Sequence, residues 1–155
     1  MKGARISFMA SWVLLFVVLT ATVILAVQSL RIAYTWSQES IAPGYTLNDV
    51  RAATGNEDAV KAIRGRRATA ATWALGYALL GLFVVLVPYR RGERWAWWAL
   101  LVTMGLPQLL SLLRAPMLAT TQGVQTPAIL LALTFLALLC GVPRLFRREA
   151  VATVE

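Results

Sequence analysis

Histidine is absent from this chain, cysteine occurs once, at Cys140, and lysine only twice, at Lys2 and Lys61. Without histidine there is no imidazole base, no bis-histidine haem ligation and no histidine-built metal site. A lone cysteine closes no internal disulfide, which excludes a paired-thiol oxidoreductase. The most telling absence is charge. Four long stretches, Ile6–Leu30, Ala68–Tyr89, Trp95–Leu113 and Ala115–Pro143, contain no ionisable Asp, Glu, Lys, Arg or His. Intramembrane ionisable groups mark proton relays, pumps and intramembrane enzymes, and none of these has its usual signature here.

What is present explains the gaps. A bilayer crossing takes about 20 apolar residues, and each stretch supplies a run of that order. The 155 residues are 59% hydrophobic, with a mean hydropathy of +0.66. This pattern predicts an all-α, polytopic transmembrane four-helix bundle. Its spans fall at about 6–30, 68–88, 95–114 and 125–142, with one hydrophilic loop over 31–67. The whole of 1–155 reads as a single integral membrane domain. Lys2 and Arg5 ahead of an apolar run resemble a secretory signal peptide. The run exceeds the roughly 7–15 residues of a signal core, however, and no small-x-small cleavage site follows it. It reads as a retained first helix.

The net charge of +8 comes from 13 Arg and 2 Lys against 7 acids. In a soluble protein that balance would point to nucleic acid. Here the bases stand at the ends of apolar runs, where they anchor to phosphate headgroups and set topology, so nucleic acid is not an expected partner. The excess of Arg over Lys, with abundant Ala, Leu and Val, fits a GC-rich bacterial genome and hence the bacterial inner membrane. Orientation follows from loop charge. The side holding both termini carries eight bases and the other side seven. The compact hairpin Arg90-Arg91-Gly92-Glu93-Arg94, followed at once by Trp95, Trp97 and Trp98, and the tail Arg144–Arg148 are the stronger positive-inside signals. Both termini are therefore expected in the cytoplasm, although Lys61, Arg64, Arg66 and Arg67 argue the other way.

The hydrophilic segment opens with Tyr34, Trp36 and Tyr45, and Ala42-Pro43-Gly44 signals a turn. Thr46 with Asp49 predicts a helix start, which Thr54-Gly55-Asn56 breaks. Asn56, followed by Glu57 and Asp58, is a second cap, from which the second helix can run unbroken into the membrane. The segment reads either as a solvated connector lying on headgroups or as a short amphipathic extracytoplasmic cap, and the expected fold includes the cap.

Within the spans, Ala70, Ala74, Ala78 and Gly81 form a small-residue stripe, a candidate helix-packing surface for this chain or for a homodimer. Gly105-Leu106-Pro107-Gln108 is the most unusual stretch. Pro107 removes the amide that would bond the Thr103 carbonyl, and Gln108 and Ser111 add polarity near mid-membrane. Pro107, Gln108 and Ser111 are thus a candidate ligand site, or a kink satisfied by a neighbouring helix. Pro88 with Gly92 is expected to turn the chain, and Pro143 with Arg144 to stop the fourth helix. Cys140 reads as an inert buried thiol.

The segment Ile63–Leu101 joins an arginine-rich entry, a glycine-containing helix, the Tyr89-Arg-Arg-Gly-Glu-Arg94 hairpin and the Trp95-Ala-Trp-Trp98 start. In these features it resembles small bacterial four-helix membrane proteins and is similar to the DoxX-like group, over the C-terminal two thirds of the chain. The resemblance implies a four-helix bundle. It carries no catalytic motif onto these residues.

The expected function is that of a small integral membrane protein of non-enzymatic type, in an accessory, interaction or lipid-binding role. Candidate headgroup contacts are Arg31, Arg66, Arg67 and Arg114. Membrane lipids are the expected partners, with another membrane protein or a second copy as alternatives. One competing reading is a small oligomeric transporter or channel passing Gln108 and Ser111, but a proton-coupled exporter needs an embedded acid. Another is an interfacial lipid-modifying enzyme using Asp49, Glu57 or Asp58 with Arg64; acids at helix starts are more simply caps. No catalytic residue, cofactor or metal is assigned.

Overall fold

A computed structural model describes residues 2–35, 40–42, 45–118 and 124–146 of the chain. Four helical stretches among them are long and apolar enough to cross a membrane: Ile6–Tyr34, Glu57–Tyr89, Arg94–Met117 and Gln125–Leu145. The first is α1 (Lys2–Tyr34), the second α3 (Glu57–Val84) with a π-helical extension Val85–Tyr89, and the fourth α7 (Gln125–Phe146). The third is broken into α4 (Arg94–Leu100), a π-helical segment Leu101–Gly105, α5 (Leu106–Leu112) and α6 (Arg114–Leu118).

Helix ends overrun the charge-free stretches. The first helix continues past the expected end near Leu30 and takes in Arg31. The second begins eleven residues before Ala68, at Glu57, and carries Lys61, Arg64, Arg66 and Arg67 in its first turns. Charge excludes a residue from the hydrocarbon core but not from a helix, since Lys and Arg are good helix formers whose long stems reach back to the interface.

The hydrophilic segment is ordered by its caps. Thr46 and Asp49 close a reciprocal capping box on α2 (Leu47–Thr54), with the Thr46 hydroxyl accepting the Asp49 amide and the Asp49 carboxylate accepting the Thr46 amide. Gly55, at φ 61°, ends α2 in the left-handed conformation that glycine tolerates. Asn56 then caps α3, its Oδ1 accepting the amides of Asp58 and Ala59 at 2.9 and 3.3 Å. Ahead of α2, two short antiparallel strands, β1 (Ser40–Ala42) and β2 (Tyr45–Thr46), flank the expected Pro43-Gly44 turn, whose two residues lie outside the described ones. This small ladder was not legible in a segment so poor in alternating apolar residues.

Pro88 and Pro143 behave differently from expectation, while Pro107 lies inside the third stretch as expected. Pro88 sits inside the helical extension, and the chain turns at Gly92 instead, at φ 84°. Pro107 follows directly on the Leu101–Gly105 π segment. In both cases the residue four before the proline lies in or at the edge of the widened turn. A wider turn moves the carbonyl that the proline ring would strike and that has lost its amide partner. Pro143 does not stop the fourth helix, which runs on to Phe146.

The chain forms two compact units, Met1–Thr20 with Leu79–Glu155, and Ala21–Ala78. In the first, α5 and the Leu101–Gly105 segment pack along α7. Its core holds Phe8, Leu15, Leu19, Val85, Tyr89, Leu100, Ala137 and Leu138. In the second, Ala26, Ala33, Val60, Ala71 and Ala78 are buried.

Candidate functional site

The first unit concentrates polar contacts at one end of its helices. Ser11 of α1 and Tyr89 at the close of the α3 extension are both fully buried, and their hydroxyls share a hydrogen bond of 2.5 Å. The Phe8 ring stacks on Tyr89 with centroids 5.3 Å apart. Gly141 of α7 completes the arrangement: a Cβ there would collide with the Tyr89 hydroxyl and lie 3.1 Å from Ser11 Oγ. Three backbones therefore meet around two hydroxyls, and a side chain at 141 would part them.

Side chains from other elements also serve the last turns of α7. Ser7 Oγ donates to the Cys140 carbonyl at 2.6 Å, Trp97 Nε1 to the Leu138 carbonyl at 2.9 Å, and Arg94 Nε to the Leu145 carbonyl at 2.9 Å. Carbonyls at a helix C-terminus lack intrahelical partners and carry partial negative charge, so a guanidinium there is doubly suited. At the α3 extension, Trp12 Nε1 donates to the Val85 carbonyl at 3.1 Å, within the widened turn that holds Pro88.

Two guanidinium groups lie over aromatic rings of α1. Arg90 stands 5.8 Å from the Trp12 centroid and Arg144 4.1 Å from that of Phe8. Phe8 and Trp12 are one helical turn apart and share a face. An open groove lined by Leu86, Val87, Arg90 and Arg91 lies alongside.

The residues expected to bind ligand lie elsewhere, on α5 and near the ends of α1 and α3. Pro107 is exposed, while Gln108 and Ser111 are half-buried. Of the expected headgroup contacts, Arg31 and Arg66 are exposed. Arg67 turns inward within its own unit, its Nε donating to Ser29 Oγ at 3.1 Å, and Arg64 likewise donates to the Ala33 carbonyl at 2.9 Å. Together they clasp α3 to the end of α1. The Arg114 side chain lies outside the described residues. Along the small-residue stripe Ala70 is exposed, Ala74 half-buried and Ala78 fully buried; Gly81 is buried, with a Cβ there set to meet Leu19 at 2.7 Å. The buried end of the stripe is used within the chain.

The acids of the hydrophilic segment are taken up by local structure. Asp49 serves the α2 cap, Glu57 pairs with Arg51 at 2.7 Å and Asp58 with Lys61 at 3.1 Å. The two hydrogen bonds from Thr46, backbone first, hold the Asp49 carboxyl below the ordinary carboxylate range. Among the described residues, no three His, Cys, Asp or Glu side chains group closely enough to hold a metal ion.

Sequence reasoning missed Ser11, Tyr89, Gly141 and the rings that carry Arg90 and Arg144. The available signal was modest: hydroxyls at Ser7 and Ser11 share a helical face with Phe8 and Trp12 nearby, at the same end as the Arg90–Arg94 hairpin. Comparison of the chain with protein-family models, with curated proteins and with solved structures gives no match.

Proposed function

We propose that this chain is a multi-pass integral membrane protein of non-enzymatic type that binds phospholipid headgroups at its rims, in an accessory role. The observation that carries the reading is the partition of its surface. Large apolar side chains point outward along all four candidate spans, among them Val17, Ile24, Leu80, Phe83, Leu109, Leu110, Leu136 and Leu139. Arginines and indoles gather at the helix ends instead. An exposed apolar surface of that extent is stable only against hydrocarbon or another apolar surface. The helices would form a four-helix bundle in a bacterial inner membrane, with both termini cytoplasmic and the β1–β2–α2 segment as an extracytoplasmic cap. Kinship with the DoxX-like group belongs to the same proposal. Against an enzyme stands the use of Asp49, Glu57 and Asp58 in caps and local ion pairs.

The test is native mass spectrometry of the full chain released from mild detergent, with extraction and identification of the bound lipid. Stoichiometric phospholipid supports the reading. A folded chain carrying none overturns lipid binding and leaves a partner-docking role.

A further inference from the structure

We infer that the end of the first unit is a built site for the phosphate of an anionic phospholipid, held by Arg90 and Arg144 on their aromatic platforms, with Arg91 beside them. The inference rests on the lipid-binding reading and gives it a location, where α7 and the α3 extension end. Phe8 and Trp12 lie one turn apart on α1, and Arg144 and Arg90 lie over these rings. Arg144 comes from the end of α7 and Arg90 from the end of the α3 extension, so two remote points of the sequence present guanidinium groups along one α1 face. Arg90, Arg91 and Arg144 are exposed, and among the described residues none of them forms an ion pair.

The cation–π contact matters because of what it leaves the guanidinium to offer. A ring beneath the charge restrains the side chain without taking a hydrogen bond from its N–H groups. Two such forks suit a phosphate, which accepts parallel hydrogen bonds from each. The Phe8 platform is itself fixed, being 4% exposed and stacked on Tyr89. The groove beside Arg90 and Arg91 is walled by Leu86 and Val87, which are apolar and suit the first methylenes of an acyl chain. A phosphate attached to a lipid uses both halves of this surface; free phosphate uses only one.

The experiment is a titration of the full chain in neutral-detergent micelles with phosphatidylglycerol, read by native mass spectrometry, with helix content by circular dichroism as the check on folding. Arg90→Gln and Arg144→Gln are each expected to weaken binding roughly tenfold, the scale of one charge-assisted hydrogen bond. The charge-conserving double variant R90K/R144K is expected to bind nearly as weakly as the double Gln variant, since an ammonium lacks the planar fork. Inorganic phosphate at matched concentration is expected to displace little lipid. Lys variants that bind like wild type would reduce the site to general screening by positive charge and overturn it. Full displacement by inorganic phosphate would overturn the lipid as its occupant. Wild-type retention of lipid that no Gln variant alters would refute this location and leave the broader reading intact, whereas a wild-type chain that binds no lipid removes both.

Discussion

At the scale of single residues, Tyr89 is the most constrained side chain in the first unit. It is fully buried, stacked on Phe8 and hydrogen-bonded to Ser11, and Gly141 lies where any Cβ would strike its hydroxyl. Gly141→Ala should therefore cost about 2 kcal/mol, the scale of overpacking a filled site. Tyr89→Phe should cost about 1 kcal/mol for the lost hydrogen bond. The two costs should not add. Once the hydroxyl is gone, the nearest atoms to a Cβ at 141 are Ser11 Oγ at 3.1 Å and the ring carbon Cζ at 3.4 Å, which need only a small adjustment. The double variant should recover about 1 kcal/mol relative to the sum of the singles, measured by denaturant titration in micelles. Strict additivity would mean that the crowding at Gly141 comes from elsewhere. None of this was legible in the chain, because Ser11 and Tyr89 lie 78 residues apart. Helical periodicity places a residue on a face but does not say which remote face it meets.

At the scale of elements, the local signals were read well and the compensations were not. Thr46 with Asp49, Gly55 and Asn56 mark helix boundaries through contacts within a few residues, so their spacing in the sequence was sufficient. Pro88 and Pro143 were equally visible as breakers, yet neither ends a helical stretch where expected. Wide π turns accompany Pro88 and Pro107, and the elements packed against these segments are remote in sequence. The capping box makes a prediction about acid. The Asp49 carboxyl titrates below its ordinary value of 3.8 because it accepts the Thr46 amide, then the Thr46 hydroxyl. A depressed carboxylate contributes stability that is complete above the unfolded value and is lost as pH falls through the lower folded value. Amides of Leu47–Thr54 should thus exchange faster as pH drops below about 4, after correction for intrinsic rates. In Asp49→Asn that pH dependence should vanish. Its persistence in the variant would show that the capping carboxylate is not its source.

At the scale of the whole molecule, charge-free length alone was enough to locate four helices long and apolar enough to cross a membrane, because hydrocarbon excludes charge far more strictly than any packing rule selects a partner. The same signal does not mark helix ends, and it was the Asn56 cap that located the start of α3, ahead of its arginine-rich turns. Orientation turns on where the bases stand and not on their number, since seven oppose eight. It nevertheless gives a sharp expectation. Arg90, Arg91 and Arg94 crowd into a turn too short to be carried across as a domain, whereas the long segment 31–67 also holds acids and can be translocated despite its bases. Single cysteines in a Cys140→Ala background can decide this. Ala53 and Arg91 are both exposed, and an odd number of candidate spans separates them. Ala53→Cys should react with a membrane-impermeant maleimide on intact spheroplasts, and Arg91→Cys only after permeabilisation. The reverse pattern would place the Arg90–Arg94 turn outside. The cluster from Lys61 to Arg67 would then be the dominant inward signal, and the phosphate-binding end of the first unit would face the outer leaflet.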